Sequence, residues 1–126
     1  MSKDVRTSRA LTTRVIGWAS VLSVMVLSLV PGRFRPHVLP SNYEEHFIAY
    51  VVVGCLLGMS YPAPRQRLIL GIVLAVCAAS LEAAQHFVAG RTPGVNDLMA
   101  SSLGAWTGLL LSIPAQRLLD RISRVA

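Results

Sequence analysis

Charge is scarce in this chain. Only 14% of its residues are charged, where a soluble domain usually carries about 25%. A soluble fold this small leaves much of its surface in water and needs polar side chains to cover it, so a soluble globular domain is excluded. Cysteine is nearly absent: Cys55 and Cys77 alone make no disulfide scaffold, and each falls in an apolar run as a small buried residue would. The sequence has no HExxH segment, no cysteine pair at metal-binding spacing and no nucleophile elbow. Motifs therefore assign no catalytic residue, no metal and no other cofactor. No internal repeat is evident. What the chain has in quantity is apolar side chain, 53% of the whole, which excludes disorder. The expectation is one integral membrane domain over residues 1–126.

The few charges divide the chain into long neutral runs. Arg14 and Arg33, Glu45 and Arg65, and Asp97 and Arg117 each bound one, and Arg67 to Arg91 is broken only by Glu82. A bilayer core of about 30 Å takes roughly 20 residues of helix. Backbone amides left unpaired in hydrocarbon cost several kcal/mol each, so spans are helices or closed barrels, and these runs lack the strict alternation of barrel strands. The reading is all-α: four transmembrane helices near 13–31, 45–62, 67–89 and 96–114, in an antiparallel bundle. The first run ends in Leu29-Val30-Pro31-Gly32 with no small-x-small cleavage site, so it reads as a retained helix rather than a signal peptide.

Basic residues set the orientation. With the N-terminus inside, nine Lys and Arg lie on inner segments and three, Arg33, Arg35 and Arg91, on outer loops, which places both termini in the cytoplasm. The basic balance is thereby accounted for by topology, and nucleic-acid binding is not expected. Pro31, Pro36 and Pro40 forbid a regular helix in the first outer loop. Asn96 suits the N-cap of helix 4, with Asp97 in its first turn. The tail 115–126 is amphipathic, with Leu118, Leu119, Ile122 and Val125 on one face. It reads either as a helix lying on the inner membrane surface or as a helix end with snorkelling arginines.

Gly54/Gly58 and Gly104/Gly108 form two GxxxG spacings, which let helix backbones approach closely. They leave two readings open: packing within the bundle, or association with a second copy.

Polar residues collect at one depth. Helix 2 opens outside with Glu44, Glu45, His46 and, a turn deeper, Tyr50. Helix 3 closes outside with Glu82, Gln85 and His86, followed by Arg91. Helix 4 opens with Asp97 and Ser101. Spacings of i, i+3 and i+4 put each set on one helix face, and an intramembrane ionisable group such as Glu82 has to be protonated, paired or hydrated. His46, Glu82 and His86 are ligand types that zinc accepts, but Glu82 and His86 alone make no recognisable metal motif. Arg91 is placed to pair with Asp97 across the loop between helices 3 and 4.

Glu45-His46-Phe47-Ile48-Ala49-Tyr50 followed by Gly54 resembles the first signature of VanZ-like membrane proteins. Glu82-x-x-Gln85, Gly90-Arg91, Asp97, Gly104 and Gly108 are similar to the second, in order and without a gap, over about 31–108. Asn42 and Tyr43 stand where the family often has Asp-Lys, Ala89 where it has Pro, and Ser101 where it has Asn. The resemblance implies a multi-pass protein of the bacterial inner membrane. The family's founding member is associated with low-level teicoplanin resistance, which links such proteins to the cell envelope.

The residues and the resemblance together give a non-enzymatic envelope protein with an outward polar pocket. Its ligand-binding set is His46, Tyr50, Glu82, Gln85, Arg91, Asp97 and Ser101, with Arg91 as the cationic contact. Its expected partners are membrane lipids, a lipid or cell-wall-precursor headgroup, and a second copy through the glycine stripes. The alternatives are an intramembrane enzyme on a lipid-linked substrate, with His46 or Glu82 as general acid or base, and a proton-linked transporter protomer built around Glu82.

Overall fold

A computed structural model describes residues 3–125; Met1, Ser2 and Ala126, which the 1–126 domain includes, lie outside the described residues. Among those described there is no strand. There are four α-helices, α1 (Lys3–Leu29), α2 (Asn42–Ser60), α3 (Pro64–Gln85) and α4 (Val95–Val125), and a short 3₁₀ turn at Gly32–Phe34. Thr7–Leu29, Pro64–Gln85 and Val95–Val125 are long and apolar enough to cross a membrane. The 19-residue α2 falls outside that set. It carries Glu44, Glu45 and His46 in its opening turns, and it lies at the centre of the fold, where it touches all three other helices.

Local chemistry fixes the ends. α3 begins on Pro64, whose fixed φ suits a first helical position, and the Gln66 side chain accepts from the Ala63 amide. At the far end of α2, the Arg67 guanidinium donates to the Gly58 carbonyl and to Gln116 Oε1, while Gln116 Nε2 donates to the Met59 carbonyl at 2.7 Å. Two side chains from α3 and α4 thus satisfy carbonyls that the last turn of α2 leaves open.

The α2–α4 contact is the most extensive in the fold. A Cβ on Gly54 would strike the Ala105 carbonyl oxygen, on Gly58 the Ser112 hydroxyl, on Gly104 the Phe47 carbonyl oxygen, and on Gly108 the Val51 carbonyl oxygen. Phe47 meets Gly104 and Gly58 meets Ser112, so these two helices run side by side in the same sense. Of the two readings open for the glycine stripes, packing within the chain is the one in place. All four glycines are buried there.

The core continues from Tyr50, Val53 and Leu57 of α2 to Leu70, Leu74 and Ala78 of α3 and Ala105 and Leu109 of α4. α3 comes close to α4 where Gly71 receives the Trp106 ring. α1 meets α2 at Gly17 against Leu57 and through Trp18 Nε1, which donates to Tyr61 Oη at 3.0 Å. Val21 and Val24 of α1 also pack against the core, while Leu11, Val15, Leu22 and Val26 are exposed. Such a surface suits hydrocarbon.

Several expected boundaries move. Helix 3 ends at Gln85, not near 89, and residues 86–90 turn, with Gly90 at φ +74°, a conformation that glycine adopts without steric cost. Helix 4 begins at Val95, and Asn96 is an exposed residue of its first turn rather than the N-cap. The Gly94 carbonyl already accepts from Asp97 and Leu98 there. The tail is no separate helix: α4 continues through Pro114 to Val125. Proline's fixed φ is helical, so the ring costs one hydrogen bond without forcing an end. At about 1.5 Å per residue the 31 residues of α4 exceed a bilayer core.

Candidate functional site

The end of α1 is tied to the end of α3 and to the loop that follows it. Gln85 Nε2 donates to the Ser28 carbonyl at 3.1 Å, Arg91 Nε donates to the Val30 carbonyl at 3.0 Å, and Arg91 Nη2 donates to the Leu27 carbonyl. The Gly32 amide adds a bond to the Ala89 carbonyl. The Leu27, Ser28 and Val30 carbonyls lie at the end of α1, where helix carbonyls are left open and a cation also suits the helix dipole. Gln85 and Arg91 therefore spend donors on anchoring α1. Among the described residues Arg91 makes no ion pair with Asp97, contrary to the sequence expectation, because its guanidinium reaches back to α1. Burial and the nearby Arg35 lower the Arg91 pKa from its ordinary value, against the carboxylates of Glu82 and Asp97; the group stays cationic at neutral pH.

A second tie holds the proline loop. Arg35 Nη2 lies 2.8 Å from Glu45 Oε2, and Glu45 Oε1 accepts from the Val38 and Leu39 amides at 2.7 and 3.1 Å. Sequence reasoning missed this clip. The available signal was an acid at the start of α2 following a loop whose three prolines leave its remaining amides in need of an acceptor.

Inside these ties, three helices deliver one polar side chain each to a common point. His46 of α2, Glu82 of α3 and Asp97 of α4 each place a candidate ligand atom within 4.8 Å of the others. His46 is 7% exposed and Glu82 9%; Asp97 is half-buried. Glu82 Oε2 accepts from the Gly94 amide at 3.1 Å, so the loop closing onto α4 is fastened to the cluster. His46 Nδ1 lies 3.2 Å from the buried Ser101 Oγ. Its other ring nitrogen, Nε2, is buried with no hydrogen-bond partner, a state that costs about 1–3 kcal/mol when uncompensated. No side-chain hydrogen bond reaches the Asp97 carboxylate among the described residues.

The expected set thus divides. His46, Glu82, Asp97 and Ser101 come together. Tyr50 is 3% exposed and belongs to the apolar core below them. Gln85 and Arg91 are anchors that also line, with Asp97, a small polar cavity of about 60 Å³. His86, grouped with Glu82 by spacing, is exposed, because α3 has ended before it.

Beside the cluster lies a larger groove of about 440 Å³, within the size range of small-molecule sites. Val24 and Leu27 of α1, Pro36 and Leu39 of the clipped loop, and Ile48 and Ala49 of α2 form its apolar walls. Arg35, Glu45 and His46 form its polar part. His46 belongs to both the groove and the cluster.

The family model described as VanZ/LLP1 matches residues 12–117. No curated protein and no solved structure matches the chain.

Proposed function

The chain belongs to the VanZ/LLP1 family, and on that premise we propose that it is a four-span protein of the bacterial inner membrane that holds an amphiphilic molecule of the cell envelope. In this reading the helices alternate in direction and both termini are cytoplasmic. The groove and the His46–Glu82–Asp97 cluster then open outward. The observation that carries the reading is the join between groove and cluster: an apolar slot of about 440 Å³ ends on charged and polar side chains at His46. An acyl or polyprenyl chain suits the walls contributed by Leu27, Leu39 and Ile48, and a polar headgroup suits the end formed by the paired Arg35 and Glu45 with His46. A role in tolerance of glycopeptides or other envelope-directed antibiotics follows from such binding.

Filling the slot is the direct test. Ala49→Phe places a ring in the groove and leaves the cluster untouched. Native mass spectrometry of protein extracted from membranes should show co-purifying lipid on the wild type and at least tenfold less on the variant, at equal folded yield. Cells expressing the variant should lose any teicoplanin tolerance that the wild type confers. Equal lipid occupancy in the two proteins would refute the reading.

A second reading takes the cluster as catalytic, with His46 as general base and Ser101 orienting it, acting on a lipid-linked substrate. It is favoured by the Ser101–His46 contact and the free Nε2, a pairing in which one group orients the base.

A further inference from the structure

We propose that His46, Glu82 and Asp97 form a binding site for one divalent metal ion of the zinc type. Three observations converge. First, one imidazole and two carboxylates, each from a different helix, bring ligand atoms within 4.8 Å of one another. Zinc bonds of about 2.0–2.2 Å put tetrahedral ligands roughly 3.4 Å apart, so an ion would draw each pair of side chains together by at most about 1.4 Å. The Asp97 carboxylate makes no hydrogen bond or ion pair among the described residues that would hold it back from an ion.

Second, the histidine is prepared as a ligand. Ser101 Oγ engages Nδ1 at 3.2 Å. With the proton on Nδ1 donated to that hydroxyl, the lone pair lies on Nε2, which is buried and has no hydrogen-bond partner among the described residues. A hydrogen bond on the far nitrogen that fixes the tautomer is the usual outer-shell arrangement of a metal-bound imidazole.

Third, the two carboxylates have Arg91 nearby but no ion-pair partner among the described residues. Two carboxylates close together carry two negative charges when ionised. Arg35 is committed to Glu45, and Arg91 bonds to α1. A dication neutralises both at once.

The donor set chooses the class of ion. Calcium prefers six to eight oxygens and magnesium keeps its waters, whereas imidazole together with carboxylate suits zinc and its first-row neighbours. Three protein ligands leave a fourth position open, as in zinc sites that take water or an exogenous group. No motif announces the site, because its ligands come from α2, α3 and α4 rather than from one helix.

Full-length protein in detergent, stripped with EDTA and titrated with zinc chloride alone, tests the proposal. Wild type should take up about one zinc per chain, bind magnesium at least 100-fold more weakly, and unfold at a higher temperature with zinc than without it. His46→Ala and Asp97→Asn should each weaken zinc uptake at least 100-fold, and Ser101→Ala by about 10- to 100-fold. The exposed His37 and His86 serve as controls: His37→Ala and His86→Ala should leave uptake unchanged. If the cluster variants do not fold, cobalt added to wild type should give visible absorption bands of a mixed nitrogen and oxygen site. Zinc uptake no tighter in wild type than in folded His46→Ala, or uptake abolished by His86→Ala, would overturn the site, as would cobalt bands absent from wild type. Metal stoichiometry is read on the protein itself, so its failure is separable from any failure of lipid binding.

Discussion

The side-chain amide of Gln85, at the last position of α3, donates to the main-chain carbonyl of Ser28 near the end of α1, 3.1 Å away across 57 residues of sequence. Both residues are buried, so water cannot replace the bond. With the two bonds from Arg91 to Leu27 and Val30, it makes the 82–97 segment the bracket that holds α1, the least buried of the three long apolar helices, against the rest.

Removing the bracket should loosen α1 before it affects any ligand. Gln85→Leu leaves a buried carbonyl unpaired and should cost about 1–3 kcal/mol, read as a lower thermal midpoint in detergent. Arg91→Lys should not restore Arg91→Ala, because an ammonium lacks the planar fork that bonds two carbonyls.

The close α2–α4 contact makes a sharper stability prediction. Gly108→Val and Gly54→Val drive a side chain into the facing helix backbone and should cost at least about 1–3 kcal/mol, since overpacking is destabilising, with folded yield falling accordingly. Gly94 has nothing within 4 Å of a new Cβ, and its amide is retained in alanine, so Gly94→Ala should leave the yield unchanged. Size-exclusion yield from equal membrane preparations compares the three.

Glu45 governs the proline loop. Glu45→Ala frees the Val38 and Leu39 amides and the Arg35 guanidinium together. Trypsin should then cut after the exposed Arg33 at least several-fold faster than in wild type, with the helices intact by circular dichroism. An unchanged cutting rate would mean that the prolines alone hold the loop.

Sidedness can be read with single cysteines in a Cys55→Ala, Cys77→Ala background. Val38→Cys, at a site 82% exposed, should react with a membrane-impermeant maleimide in intact cells. Val125→Cys should react only after permeabilisation. The opposite pattern would invert the bundle and turn the groove toward the cytosol.

The sequence by itself determined that the chain is helical and made for lipid, because long neutral runs have one low-energy backbone in hydrocarbon. It also determined which residues are costly there: His46, Glu82 and Asp97 stand out by chemistry alone. Their gathering was foreseeable in outline, since each lies near the same end of its run. Their partners were not. His86 was matched to Glu82 by helical spacing, which assumes that the helix continues; α3 ends at Gln85, and His86 turns outward. Arg91 was matched to the nearest acid along the chain, yet the stronger demand came from α1's open carbonyls, more than sixty residues earlier. The glycine stripes left two readings open because GxxxG states only that something approaches closely. Only the tertiary structure decided that α4 is what approaches α2, that Arg91 is an anchor, and that the Nε2 of His46 faces no partner, because each depends on contacts between segments whose separation in sequence carries no trace of their meeting.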